Sequence, residues 1–383
     1  MIHYSRQKID NKDIKEVVKA LREDFITTGP TVSKFEKAIS KTVQSKFAVA
    51  TNSATSALHV ACLSLNIKKG DRVWTSPNSF VSSANCALFC GAKIDFVDID
   101  KQTFNLSVPR LKDKLKKTKK KFLPKLIIPV SFAGQSCEMS EIYKLSKIYK
   151  FKILEDASHA LGAKYNNNFV GSGKYAHISV FSFHPVKMIT TGEGGVAVTN
   201  DKILYKKMLL YRSHGMERLN SRTKPYFYKI KNLGFNYRMT DFQAALGLSQ
   251  LKKLKKFIQL RKKAYNFYNK SLKNLPLDLP FVPRKNYPSH HLYVIKIKGK
   301  NVPKKRNQLA NYLKKFSINT NIHYIPIYSH QFFRKIGFKS FSLKYCEDYY
   351  KRALSIPIHQ QMKKKDLIFV SNKIKDFFRN TNI

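Results

Sequence analysis

The chain has 383 residues, of which 43% are hydrophobic and 13% aromatic, which excludes a disordered chain and a small disulfide-stapled scaffold and leaves room for two domains. No stretch approaches the roughly 18 apolar residues of a membrane-spanning helix, and the first residues lack a signal-peptide pattern, so we expect a cytoplasmic protein with no membrane partner. The net charge of +48 comes from 58 Lys and 14 Arg against 24 acidic residues. Because nucleic-acid recognition favours the bidentate arginine fork, this lysine excess indicates an ordinary basic surface rather than a nucleic-acid partner.

Apolar runs and helix-period segments alternate over the first 250 residues. Asp10 can cap a first helix, and a second helix precedes an apolar run at 47–50. Further apolar runs predict strands at 72–75, 94–97, 126–130, 152–155, 178–181 and 195–199. Helical segments between them are predicted at 82–90, 108–117 and 139–149. This alternation predicts an α/β fold with a mainly parallel sheet flanked by helices, whose ligands bind at the carboxyl ends of the strands.

The pattern changes near residue 250. A long helix is predicted from about 241 to 272, and proline-marked turns, a strand at 293–298 and a helix after Pro303 follow it. We therefore predict a large α/β domain over residues 1–249 and a smaller C-terminal α+β domain over residues 250–383. The five cysteines form no C-x-x-C pair, which indicates free thiols.

Two polar clusters stand at predicted strand ends in the larger domain. The first, NSATS at 52–56, begins a helix, where exposed backbone N–H groups can bind a phosphate or the hydroxyls can simply cap the helix. The second, EDASH at 155–159, closes a strand with a carboxylate that could hold a cationic ring nitrogen or cap a turn.

Two further clusters follow along the chain. SVFSFHPVK runs from Ser179 through His184 to Lys187, and TTGEGG follows it at 190–195. A partly desolvated lysine there could form a Schiff base, because a lowered pKa frees its amine as a nucleophile. The chain has 58 lysines, most of which we expect at the surface, and only the position of Lys187 in this motif distinguishes it from them. The fourth cluster, GFNYRMTD at 234–241, could be turn chemistry before the long helix.

In this order, the four clusters resemble the fold-type I pyridoxal-phosphate (PLP) enzymes, specifically the sugar-nucleotide aminotransferases of the DegT/StrS group. The resemblance covers nearly the whole chain, and SFHxxK with a following EGG is specific to this group. NSATSAL, SFVxxAN, RSHGM and ALGLSQLKK are most similar to one branch, the aminotransferases of the pseudaminic-acid pathway. That branch aminates C4 of a UDP-4-keto-6-deoxy-N-acetylhexosamine, usually with glutamate as donor.

The resemblance also implies roles for individual residues. Lys187 would form the Schiff base with the PLP aldehyde, Asp156 would keep the pyridine nitrogen protonated, and Phe80 would stack on the ring. The other cofactor contacts that it implies are Thr55, Ser56 and Ser182 at the phosphate, His159 and Gln135 near the ring, and Asn236 from the partner subunit of a homodimer. The substrate contacts that it suggests are Tyr4, Arg212, His214 and His323. The histidine spacings match no zinc site, so no metal is expected.

Two other functions stay open at this stage. One is a related nucleotide-sugar aminotransferase that makes a different 3- or 4-amino sugar. The other is a non-catalytic basic binding protein, which would not need Lys187, Asp156 and a phosphate cradle together. The dehydratases of the group carry His in place of the Schiff-base lysine, so Lys187 speaks against a dehydratase.

Overall fold

The computed structural model describes residues 1–218 and 226–380. The helices in this part of the chain are α1 (Asn11–Leu21), α2 (Pro30–Val43), α3 (Ala54–Ser64), α4 (Ser82–Leu88), α5 (Val108–Lys117), α6 (Met139–Tyr149), α7 (Lys202–Arg212), α8 (Asp241–Leu251), α9 (Leu254–Leu272), α10 (Val302–Lys315), α11 (Gln331–Phe333), α12 (Lys344–Arg352) and α13 (Lys364–Asn380). The strands are β1 (Phe47–Thr51), β2 (Arg72–Thr75), β3 (Lys93–Phe96), β4 (Leu126–Ile128), β5 (Lys152–Asp156), β6 (Lys164–Tyr165), β7 (Asn168–Phe169), β8 (Ile178–Ser182), β9 (Gly195–Thr199), β10 (Met216–Arg218), β11 (Tyr228–Ile230), β12 (Leu277–Asp278), β13 (Asn286–Tyr287), β14 (Tyr293–Ile297) and β15 (Ala353–Ile356).

The main sheet has seven strands in the order β1-β9-β8-β5-β4-β2-β3. The pairs β2-β3, β2-β4, β4-β5 and β5-β8 are parallel, whereas β9 is antiparallel to both β1 and β8. The predicted α/β fold is confirmed, with one reversed strand in an otherwise parallel sheet. The reversal lets the chain return from the end of β8 to β9 through the loop at 183–194 instead of a crossover helix.

Helices cover both faces of this sheet, which explains why its strands are continuous apolar runs. On β1, Val49 packs with Leu58 of α3 on one face, while Ala48 and its neighbours pack with Phe35 and Ile39 of α2 on the other. A third cluster places α5 and α6 against the strands farther along the sheet. Within the described residues, no helix is both long and apolar enough to span a bilayer.

The C-terminal part forms a separate antiparallel sheet, β12-β14-β15, that packs against α9, α10 and α13 through its own apolar cluster. The N-terminal arm also belongs to this assembly: Ile2 pairs with Ile318, and the Tyr4 carbonyl accepts a hydrogen bond from the Ile358 N–H at 3.0 Å. The predicted domain boundary at residue 249 stays a prediction, and the N-terminal arm contacts the part of the chain that lies beyond it. Residues 381–383 of the predicted second domain lie outside the described residues.

The predicted single helix over 241–272 is wrong, because α8 ends at Leu251 and α9 begins at Leu254. Neither Gly nor Pro stands at the break. Instead, the Lys253 side chain reaches across to α1, with its Nζ 2.6 Å from the buried carboxylate of Asp13 and 2.9 Å from that of Asp10. A tertiary ion pair therefore accompanies the break, and local sequence carries no signal for it.

Asp241 at the start of α8 fixes the beginning of α2. Its carboxylate accepts hydrogen bonds from the backbone N–H groups of Gly29 and Thr31 at 2.8 Å and of Val32 at 3.2 Å. A side chain at position 29 would not fit, because its Cβ would lie 2.8 Å from the Cβ of Phe25. Asp241 thus serves as the N-terminal cap that α2 lacks locally.

Replacing Asp241 should therefore destabilise the fold. For Asp241→Ala we expect the free energy of unfolding to fall by about 2–4 kcal/mol, because three N–H groups, one buried and two part-buried, lose a buried charged acceptor. The matched control is Asp201→Ala, which removes an exposed cap of α7 and should cost about 1 kcal/mol. Urea denaturation of both variants measures this difference. An Asp241 variant no less stable than the Asp201 variant would contradict the account.

Candidate active site

A cavity of about 680 Å³ lies at the carboxyl ends of the parallel strands, where the C-terminal elements meet the main sheet. The turns after β1, β2, β4, β5 and β8 all contribute to its wall, as expected for a parallel sheet. The predicted site residues that line it are Tyr4, Thr55, Phe80, Asp156, His159, Ser182, Lys187 and His323. Segments from both ends of the chain therefore meet in one cavity.

Lys187 projects from the turn that follows β8. Its backbone N–H donates to the His184 carbonyl at 2.9 Å, which fixes the turn. Burial lowers the pKa of Lys187 to about 8, while the negative charge of Asp156 acts in the opposite direction. The amine is therefore neutral in a larger fraction of molecules than an exposed lysine would be, and a neutral amine is a nucleophile.

Asp156 ends β5, the strand next to β8. Its Oδ2 accepts a hydrogen bond from the Ser83 hydroxyl at 2.6 Å, and its Oδ1 accepts one from the Ser158 hydroxyl at 2.6 Å. Two hydroxyl groups therefore fix the orientation of this buried carboxylate. The turn-capping bond from the Ser158 N–H is present as well, at 3.2 Å, so the capping and cavity-lining interpretations describe the same residue.

The start of α3 forms the opposite wall of the cavity. Ser53 caps the helix by accepting a hydrogen bond from the Ser56 N–H at 3.1 Å, and the Thr55 hydroxyl lies 2.7 Å from that of Ser82. The helix N-terminus carries partial positive charge and unpaired N–H groups, which suit a phosphate. A Cβ on Gly195 would lie 2.5 Å from the Ala54 backbone, so only glycine lets β9 pass here.

Neutral histidines and a tyrosine line another part of the cavity, where His159 follows β5 and His291, His323 and Tyr324 come from the C-terminal elements. The His159 Nε2 lies 3.2 Å from the Tyr324 hydroxyl, and the His159 and His291 ring centroids are 4.3 Å apart. Burial lowers the pKa of His159 and His291 well below the usual range, and that of His323 to about 3. These rings are therefore uncharged at neutral pH, and Lys187 keeps its place as the cationic centre of the cavity.

Five predicted residues do not line this cavity. The Ser56 hydroxyl donates to the Asn52 side chain at 2.6 Å, which turns it away. Gln135 is buried but does not line the cavity, and its backbone carbonyl accepts a hydrogen bond from the Asn105 side chain. Arg212 forms an ion pair with Glu36 at 2.6 Å, and its predicted substrate contact stays a prediction.

The other two are His214, in the segment that follows α7, and Asn236, in the segment that precedes α8. Asn236 forms an antiparallel bridge with Ser213, and His214 is exposed with a positive φ of 59°. Neither side chain reaches the cavity of its own chain. This placement leaves the predicted role of Asn236 in a partner's site as an expectation.

Sequence reasoning assigned no role to Ser83, Ser158 and Tyr324, although all three contact predicted site residues. Each lies within three residues of an assigned residue, so proximity to a motif in the sequence could have indicated that these residues belong to the site. His291 comes from the C-terminal elements, and only the fold brings it to His159. Among the described residues, no group of three or more His, Cys, Asp or Glu side chains could hold a metal ion.

The lowered pKa of Lys187 predicts how its chemical modification depends on pH. In protein stripped of small ligands, reductive methylation of Lys187 should rise through about pH 8, whereas surface lysines should respond near roughly pH 10.4. Asp156→Asn should shift the Lys187 midpoint to still lower pH, because the carboxylate stabilises the ammonium form. Peptide mapping after labelling at graded pH measures both shifts. A midpoint for Lys187 equal to that of the surface lysines would contradict the burial of its amine.

Comparison with known proteins identifies relatives along nearly the full chain. The sequence model of the DegT/DnrJ/EryC1/StrS aminotransferase family matches residues 7–375. The UDP-4-amino-4,6-dideoxy-N-acetyl-beta-L-altrosamine transaminase of Campylobacter jejuni is 39% identical over 376 residues, covering 98% of this chain and 96% of that protein.

Two solved structures support the same assignment. Helicobacter pylori PseC, an aminotransferase involved in the biosynthesis of pseudoaminic acid, matches with a TM-score of 0.91 and 34% identity over 99% of both chains. A Streptococcus pneumoniae protein in a PLP form matches with a TM-score of 0.90 and 26% identity over 98% of both chains. Because sequence and fold agree over almost the whole length, the chain belongs to the DegT/DnrJ/EryC1/StrS aminotransferase family.

Proposed function

We propose that this protein is a PLP-dependent aminotransferase that moves the amino group of glutamate to the C4 ketone of a UDP-4-keto-6-deoxy-N-acetylhexosamine, in the pathway to pseudaminic acid. The observation that carries the proposal is the partly neutral amine of Lys187 facing the same cavity as the fixed carboxylate of Asp156. The substrate follows from the Campylobacter jejuni relative, whose named sugar carries its amino group at C4.

The residues of the cavity fit PLP. The N-terminus of α3 and the hydroxyls of Thr55 and Ser182 offer donors for a phosphate, and Asp156 offers a carboxylate for a protonated ring nitrogen. In the described part of the chain, the buried Nδ1 atoms of His159 and His291 have no hydrogen-bond partner, as expected where a ligand completes a polar wall.

In the proposed reaction, the cofactor stabilises negative charge and the protein side chains transfer and hold protons. When bound, PLP supplies an electron sink for the carbon that loses its proton. Lys187 Nζ, once neutral, takes the proton from Cα of the amino donor as a general base and later returns it as a general acid. Asp156 holds the proton on the ring nitrogen, and the Ser83 and Ser158 hydroxyls hold Asp156 in place. Separate donor and acceptor half-reactions give ping-pong kinetics.

The proposed active unit is a homodimer with shared sites. Among the described residues that line the cavity, Lys187 is the only Lys or Arg, yet glutamate carboxylates and a UDP diphosphate need cationic partners. Near Asn236 the surface exposes large apolar side chains, with Tyr226 79% and Leu233 84% accessible. Such a patch favours burial against a second copy, which would bring the segment carrying Asn236 to the partner's cavity.

The substrate assignment is tested with a panel of nucleotide sugars. Purified protein, PLP and glutamate are incubated with UDP-linked and other nucleotide-linked 4-keto and 3-keto sugars, and products are identified by mass spectrometry and NMR. We expect a new amine at C4 of the UDP-4-keto-6-deoxy-N-acetylhexosamine, and none with Lys187→Ala. Amination of only a 3-keto sugar, or of only another nucleotide's sugar, would instead identify the related enzyme left open by the sequence.

Asp156→Asn should keep the fold and lower turnover by a factor on the order of 100 or more, about 2.7 kcal/mol of barrier. The amide cannot hold the ring proton by charge. The matched control is Glu155→Gln, one residue away on the same strand. Glu155 lies outside the cavity, where the Ser131 and Ser179 hydroxyls donate to it and burial raises its pKa. Comparable losses in steady-state turnover for both variants would contradict the role of Asp156.

Shared sites predict complementation between inactive subunits. Mixing Lys187→Ala subunits with Asn236→Ala subunits should restore activity, because one site in each heterodimer carries neither change. As a control, Lys187→Ala mixed with Asp156→Ala should restore none, since both residues act in the cavity of their own chain. Activity is measured after subunit exchange has been verified by mass spectrometry. Equal behaviour of the two mixtures would place Asn236 in its own chain's site.

A further inference from the structure

Three cysteines and a histidine meet where α3 packs against α4. The thiol of Cys62 in α3 interacts with those of Cys86 in α4 and of Cys90 just beyond it, and Cys90 also interacts with the His59 ring. Cys62 and Cys86 are fully buried, whereas Cys90 is only partly buried. The cluster therefore joins one partly exposed cysteine, Cys90, to a fully buried cysteine, Cys62, with which it interacts.

The groups that face Cys90 act in different directions on its charge. A hydrogen bond from the Cys62 thiol lowers the pKa of Cys90 to about 6, and His59 lowers it as well, while burial and the Asp71 carboxylate oppose them. Tyr237 also faces the cluster, with its hydroxyl 3.2 Å from the His59 Nδ1. By contrast, burial raises the pKa of the Cys137 and Cys346 thiols, which keeps both protonated.

We propose that Cys90 is an oxidation site at which hydroperoxides react, and that Cys62 resolves the product as a disulfide. In the first step, the Cys90 thiolate attacks one oxygen of the hydroperoxide, an S–O bond forms and the O–O bond breaks. Cys90 is oxidised to a sulfenic acid, and the hydroperoxide is reduced to water or an alcohol after taking up a proton. In the second step, the Cys62 sulfur bonds to the Cys90 sulfur, and the hydroxyl leaves with the Cys62 proton as water.

The position of the cluster connects it with the cavity without depending on the proposed function. The start of α3 lies at the cavity, and the middle of the same helix carries His59 and Cys62. The His59 ring packs against Phe235 with centroids 4.8 Å apart, and the Tyr237 carbonyl accepts a hydrogen bond from the Asn52 N–H at 2.9 Å. A disulfide here would thus form on the same helix, α3, whose start lines the cavity.

The first test is alkylation of the unmodified protein with iodoacetamide at graded pH, read by peptide mapping. We expect Cys90 to label fastest of the five cysteines, with a rate that rises through about pH 6, well below the roughly pH 8.5 of an ordinary thiol. Labelling of Cys90 no faster than that of Cys137, or a midpoint near the ordinary value, would overturn the proposal.

The second test treats the protein with stoichiometric hydrogen peroxide and maps its peptides without reduction. The expected product is a Cys62–Cys90 disulfide, which Cys90→Ser abolishes and the control Cys86→Ser retains. Cys62→Ala should leave a sulfenic acid on Cys90 that dimedone traps. The wild-type protein decides the result even if this last variant does not fold. Finding no disulfide, or one between Cys62 and Cys86, would overturn the assignment.

Discussion

The architecture of the site depends on holding an amine and a carboxylate from neighbouring strands against one cavity. Asp156 at the end of β5 pairs in register with Val180 of β8, and β8 leads directly into the turn that carries Lys187. Parallel pairing thus places both groups at the same edge of the sheet. Their charges are interdependent, because Asp156 opposes the loss of the Lys187 proton that burial favours.

The polar groups around the cavity add little charge that would alter the mutual effect of Lys187 and Asp156 on their protonation. The histidines of the cavity wall are held neutral by burial, and the carboxyl group of Glu155 lies outside the cavity with hydroxyl partners of its own. The carboxylate of Glu193 also lines the cavity, but Glu193 is exposed, so solvent screens its charge more strongly than that of the buried Asp156 carboxylate. The net charge of +48 is distributed over the chain, and the cavity itself holds little of it.

Much of the fold was predictable because strands of a sheet covered on both faces are mainly apolar runs, and the predicted runs at 72–75 and 178–181 match the parallel strands β2 and β8. The strand pattern placed Asp156 and Lys187 near strand ends, but only the motifs that resemble the family singled them out from the other acidic and lysine residues. Features that depend on distant partners were not. The break before Leu254 accompanies the Lys253–Asp13 pair, and Arg212 is engaged by Glu36 far away in sequence.

The central claim is that this cavity transfers an amino group from glutamate to a nucleotide-linked sugar ketone. The most direct measurement follows heavy nitrogen from labelled glutamate through the reaction by mass spectrometry and NMR. The account predicts that the label appears at C4 of the UDP-linked sugar, with 2-oxoglutarate as the co-product in equal amount. Release of 2-oxoglutarate while the sugar stays unlabelled, or labelled sugar from Lys187→Ala protein, would contradict it.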